Sequence, residues 1–248
     1  MTVLAALSCR LRLAAIKFAQ EVNDLNRSRV GYAVIDGLGR VADGDRALGG
    51  HLAKGPYSPH LLSMTKTSNT LTDRAGQAAL ELAQDRPWSQ ISLLDIAAKA
   101  EIGFAELFAL ASSKRAVMDL VSARFDQAAM ATAQSAQTDL HDRLFDAVMA
   151  RIEAMEPHRH ALIAIAADEG PAPMAPRIAR TVRALLETAG LDTGGLKGAA
   201  RLAAMSLVWG RVIQVWRDDE GALNRTMAEI DQRLKAMRGQ LARLGAGF

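Results

Sequence analysis

Few residues in this chain have types and spacings suited to chemistry. His158 and His160 flank Arg159. Positions two apart on a helix point different ways and do not converge on a metal. Asp218-Asp219-Glu220 and Asp168-Glu169 carry enough negative charge to attract a cation, but each reads more simply as a solvated acidic turn. The single cysteine, Cys9, excludes an internal disulfide and a cysteine-based zinc site. The sequence has no nucleophile elbow, phosphate-binding glycine loop or zinc-protease signature. The expectation is therefore a protein that is not an enzyme and uses no metal and no cofactor. Trp209 and Trp216 stand seven apart, two turns along one helical face. With Met149 and Met205 they form a candidate pocket for a small apolar ligand. The competing reading places them in a core or dimer interface, common positions for aromatics.

The elements that must position these residues are helices. Hydrophobic residues make up 50% of the 248 positions but aromatics only 4%, and Ala and Leu are abundant. That composition favours helix over strand. No apolar run reaches the roughly 18 residues of a spanning helix, and Val3 to Leu7 lacks the charged start of a signal peptide. A cytoplasmic location is expected. The net charge is +3, and the segment 1–63 accounts for it with eight basic and five acidic residues. Residues 1–26 have helical character. Seven glycines between Gly31 and Gly55, then Pro56 and Pro59, leave 27–63 without a helical stripe. The segment 1–63 is expected to be disordered or a mis-annotated extension, with Met64 the native start. A basic DNA-binding arm is the alternative.

From Leu71 the spacing turns helical, with Ala75, Ala78, Ala79 and Leu82 on one face until Arg86-Pro87 ends the run. Ser92 and Asp95 form a capping-box pattern before a short helix that turns Ile96 and Ala97 inward. Ala100 to Gly103 reads as a tight turn, and Phe104 to Leu110 as a third short helix. Ser112-Ser113 caps a longer helix from Lys114 to about 134. Further helices are expected at about 139–155, 158–167, 174–189, 196–217 and 222–244. The 196–217 helix is apolar on most sides and should be buried all round. In the last helix Leu223, Met227, Ile230, Leu234, Met237, Leu241 and Leu244 form a heptad seam. The polar face of that helix is biased to basic residues, so peripheral membrane contact is an alternative to packing.

The stretch Ile96 to Lys114 resembles the head of the TetR family of regulators, which reads roughly Ile-Ala-x-x-Ala-Gly-Val-Ser-x-x-Thr-Leu-Tyr-x-His-Phe-x-Ser-Lys. The matched frame is Ile96, Ala97, Ala100, Ile102, Leu107, Phe108, Ser113 and Lys114. The resemblance implies an all-α fold. Residues 64–125 would be a helix-turn-helix DNA-binding domain, and 126–248 a helical ligand-binding and dimerisation domain. It also implies DNA-facing positions at Ser92, Gly103, Phe104, Glu106, Phe108 and Lys114. The family's capping serine is here Gly103, its threonine Glu106, its phosphate-touching tyrosine Phe108, its histidine Leu110 and its phenylalanine Ala111. The stretch 71–125 has six basic and seven acidic residues, so its net charge is −1. DNA affinity rests on neutralising phosphates, so these departures point to weak binding.

The C-terminal stretch from Leu207 to Asp231 also resembles TetR-fold accessory proteins of ubiquinone biosynthesis, which bind lipid and have lost DNA readout. Two readings follow. One is a homodimeric repressor, paired through 196–244, that binds a double-stranded DNA operator under control of a small apolar ligand. The other is a lipid-binding accessory protein with a degenerate DNA-reading helix. A helical dimer acting through protein contacts alone is a third reading.

Overall fold

Apolar spacing at three and four residues builds every regular element of the computed structural model, which describes residues 59–134, 139–219 and 221–247. Among the described residues these elements are all helical: α1 Pro59–Asp85, α2 Leu93–Ala100, α3 Phe104–Leu110, α4 Lys114–Met130, α5 Leu140–Met155, α6 Arg159–Glu169, α7 Met174–Thr188, α8 Gly195–Arg217 and α9 Asn224–Arg243. Short 3-10 turns span Trp88–Gln90, Ala131–Gln134 and Glu156–His158. The expected helices from α2 onward are all present, with ends shifted by a few residues at most.

The N-terminal end differs from expectation. α1 begins at Pro59, so residues 59–63 and the polar lead-in from Met64 are helical backbone. Proline suits a first helical position, and neither glycine nor proline interrupts 60–75. Residues 1–58 lie outside the described residues, and with them the expectations of a disordered extension or a basic arm.

The head packs α2 and α3 against α1, and α1 against α4. Its core holds Ala75, Ala79, Ile96, Ala97, Leu107 and Val117, all nearly or fully inaccessible. Gly76 sets the α1–α4 distance, because a Cβ there would meet Val121 Cγ2 at 2.9 Å. The body packs α4, α5 and α7 together, then α8 against α7 and α9, with α9 also on α5. The expected domain boundary at 125/126 falls inside α4, and one continuous core runs from Ala75 to Ala246.

The last two helices refine the sequence picture. Ile230, Leu234, Met237 and Leu241 are buried as the seam requires, whereas Met227 is 37% exposed. α8 buries Met205, Val208, Trp209, Val212 and Trp216. Leu202, Ala203, Leu207, Ile213 and Val215 are only half-buried, and Leu196 is exposed. One chain thus covers one face of α8, not the whole circumference.

In the acidic turn after α8, Asp218 is exposed but the neighbouring carboxylate is not. Asp219 is buried, and its Oδ2 accepts from the Thr226 amide at 2.8 Å and hydroxyl at 2.7 Å, fastening the start of α9. Asp168 and Glu169 also hold structure: Asp168 accepts from the Ser89 amide and Glu169 binds Arg177. No helix among the described residues is long and apolar enough to cross a membrane.

Candidate functional site

The head carries the first candidate surface. Ser92 caps α2: its hydroxyl accepts from the Asp95 amide, and Asp95 accepts in return from the Ser92 amide. These hydrogen bonds from Ser92 hold the Asp95 carboxyl below the usual carboxylate range, helped by Arg86. The turn to α3 passes through Glu101 in the left-handed region, at φ 54°. Arg74 clamps this turn by donating to the carbonyls of Ala100 and Glu101. Gly103 stands at the start of α3 and supplies no side-chain cap.

The helix that follows is Phe104-Ala-Glu-Leu-Phe-Ala-Leu110, anchored by the fully buried Leu107. Phe104 and Phe108 are 45% and 52% exposed, their ring centroids 6.0 Å apart. Leu94 on α2 is 60% exposed. Of the residues the resemblance turned toward DNA, Ser92, Gly103, Phe104, Glu106 and Phe108 are exposed and Lys114 is half-buried. The chemistry of α3 is unusual for reading DNA. None of the seven α3 side chains donates a hydrogen bond at neutral pH, and Glu106 is the sole acceptor.

Five of the six cations in 71–125 are engaged within the chain. Arg74 holds the α2–α3 turn, Arg86 pairs with Asp95 at 3.4 Å, Lys99 with Glu81 at 3.2 Å and Arg124 with Asp73 at 3.0 Å. Lys114 donates to the Trp88 carbonyl at 2.6 Å and lies 4.9 Å from the centre of that ring. Among the described residues Arg115 is the head cation whose side chain has no such partner. Surface pairs of this kind are worth under about 1 kcal/mol each and are easily exchanged.

The body carries the second candidate, centred on residues that sequence reasoning did not single out. Arg151 is 5% exposed and Asp126 2% exposed. Arg151 Nε donates to Asp126 Oδ1 at 2.8 Å, and its Nη2 to Thr181 Oγ1 at 3.1 Å and Ser122 Oγ at 3.2 Å. The signal was present in the sequence: position 151 lies one turn from Ala147 and Met155, on the apolar face of α5. Burial pulls the Arg151 guanidinium below its ordinary range, against the opposing pull of Asp126.

The four expected ligand-pocket residues are all buried: Met149 at 8%, Met205 at 0%, Trp209 at 4% and Trp216 at 2% exposure. Trp209 lies 4.6 Å from the Arg151 guanidinium. Trp216 donates its indole N–H to Glu156 at 2.6 Å, with Arg159 over its ring. They are packed side chains, and the two tryptophans serve different cations. The open cleft between α5 and α9, by contrast, is lined by His141, Phe145, Met227, Asp231 and Lys235.

His158 packs near Phe125, and burial followed by the charge of Arg124 lowers its pKa. Its neighbour His160 is exposed. No cluster of three metal-ligating side chains occurs among the described residues.

A helix-turn-helix head on a helical body defines the class of architecture. Within it, the chain has the TetR-like fold. It superposes on a TetR transcriptional regulator from Rhodococcus sp. RHA1 with a TM-score of 0.50, at 17% identity, over 68% of this chain and 96% of that one. At that identity the likeness establishes the fold alone. No family model matches the chain, and no curated protein sequence does.

Proposed function

We propose that this chain is a homodimeric TetR-fold protein that binds a small apolar or lipid ligand in its body and whose head no longer reads an operator. The observation that carries this reading is α3. Base-edge readout needs side-chain donors and acceptors, with arginine, lysine, asparagine and glutamine most used. α3 offers two phenylalanines and one carboxylate. Glu106 can accept from a cytosine amino group, but it repels the phosphates on either side. The head, with seven basic and seven acidic residues over 64–125, has no net positive charge to act as a counterweight. This is the chemistry of the lipid-binding accessory reading.

Dimerisation belongs to the same proposal. Ala199, Ala203, Ser206 and Gly210 line α8 away from its buried face. Ala228, Gln232, Ala236 and Gly239 are exposed on α9. These stripes, with the half-covered Leu202, Leu207 and Ile213, suit close packing against a second copy. Peripheral membrane contact through α9 has less support, since its apolar seam of Ile230, Leu234, Met237 and Leu241 is already buried within the chain.

An operator-binding repressor is the second reading, favoured by the intact helix-turn-helix frame and its capping box. There Lys114 and Arg115 would meet phosphates. The deciding experiment is binding of the protein to DNA from upstream of its own gene, against a scrambled fragment, at low and near-physiological salt. The proposal expects equal or no binding, together with lipid extractable from the purified protein. Selective retention at the higher salt overturns it in favour of the repressor.

A further inference from the structure

The buried cluster around Arg151 is not explained by stability. A buried ion pair costs several kcal/mol of desolvation per ion, and apolar replacements of similar volume are often neutral or better. The cluster is also incompletely satisfied. Arg151 Nη1 meets only the thioether sulfur of Met155, at 2.7 Å, a weak acceptor for a guanidinium. Asp126 Oδ2 is buried and accepts no hydrogen bond. Its other cation is Arg180 on α7, whose Nε is 3.4 Å away and whose side chain is 46% exposed. One carboxylate thus stands between two guanidiniums, and the trio carries one uncompensated positive charge.

We propose that Arg151 anchors the head group of a monoanionic aliphatic ligand, a long-chain carboxylate, and that Asp126 holds the guanidinium until that ligand arrives. The inference rests on the reading of the body as ligand-binding and specifies the ligand. A single carboxylate neutralises the trio, whereas a phosphate dianion overshoots it. On binding, the ligand carboxylate takes the Nη side of Arg151, where the present acceptors are a sulfur and two hydroxyls. Asp126 then turns its free Oδ2 fully to Arg180. The aliphatic chain has to displace Met155, Phe125 and Trp209, which pack around the guanidinium, with Met205 one turn from Trp209. Methionine side chains are adaptable enough to open that space.

The exchange also reaches the head. Arg180 Nη2 donates to the Asp119 carbonyl at 2.7 Å, and Asp119 belongs to α4, which starts at Lys114 in the head.

The test is titration of the full chain with dodecanoate, dodecanol and dodecyltrimethylammonium below their micellar concentrations, followed by tryptophan fluorescence. Dodecanoate should bind at least tenfold tighter than dodecanol, and the cationic amphiphile more weakly than either. Arg151→Met should abolish the preference for dodecanoate while leaving dodecanol affinity within a few-fold. Arg180→Gln, at a half-exposed position, should weaken dodecanoate several-fold, and it decides the matter should Arg151→Met fail to fold. Equal affinity for dodecanoate and dodecanol overturns the anchor role and leaves an apolar ligand-binding body standing. A preference that survives both substitutions overturns the proposal as well. Failure of all three to bind overturns it together with the ligand-binding reading.

Discussion

Glu101 holds the α2–α3 turn in a backbone region that suits glycine, at φ 54°. An L side chain there costs roughly 1–2 kcal/mol. The side chain gives little in return, since its Oε2 lies 3.8 Å from Arg74 and is 90% exposed. Glu101→Gly should therefore raise stability by about 1 kcal/mol, or about 2–4 °C in Tm for a chain of this size. Thermal unfolding checks it, and an unchanged or lower Tm would show that Arg74 and the turn already accommodate the strain. The tight turn was legible in the sequence because Gly103 and the flanking apolar positions bracket it. The partners of Lys114 were not, because a lysine reaching back across 26 residues to the Trp88 carbonyl leaves no local pattern. Arg151 was legible in principle, as a charge at an apolar register position, but periodicity alone gives it no partner.

Two elements are positioned by single side chains. Asp219 fastens α9 through Thr226, itself fully buried. Burial raises the Asp219 pKa, and the hydrogen bonds from Thr226, with Arg225 nearby, outweigh it, so the net shift is downward. A carboxyl with a lowered pKa in the fold contributes stability that is present above the unfolded-state value, about 3.9. It is lost as pH falls through the folded value, because the unfolded chain then binds the proton more readily. Asp219→Asn should flatten the acid limb of the stability profile. Asp219→Ala should cost about 1–3 kcal/mol at neutral pH by orphaning the buried Thr226 donors. Urea denaturation at pH 3 to 7 measures both, and an unaltered acid limb in the asparagine variant would assign the acid sensitivity elsewhere.

Arg177 does for α7 what Asp219 does for α9. Its Nε and Nη1 reach Asp119 on α4 and Glu169 on α6, each at 2.6 Å, and Glu169 is only 8% exposed. Arg177→Ala should cost about 3 kcal/mol, since it leaves that carboxylate buried and unpaired. A double substitution with Glu169→Gln should recover part of the loss, and additivity of the two would show that the pair is not coupled. Helix positions were legible from apolar spacing. These ties were not, because the Asp168-Glu169 and Asp218-Asp219 doublets look the same in sequence whether they cap, clamp or face water.

At the scale of the whole molecule, the half-covered face of α8 is the feature that a single chain leaves unfinished. Sequence alone required that helix to be buried all round, and the chain supplies one side of the cover. Gly210 tests whether a second copy supplies the other. It is exposed, and a Cβ built there meets nothing within 4 Å, so a larger side chain fits the isolated chain. A guanidinium at the centre of a small-residue seam would instead be desolvated without a partner. Gly210→Arg should therefore halve the mass seen by analytical ultracentrifugation at micromolar concentration while the helical circular dichroism persists. It should also remove the concentration dependence of Tm that mass action gives a dimer. A variant that keeps the dimer mass would move the interface off this stripe, most directly toward the exposed Leu94, Phe104 and Phe108 of the head.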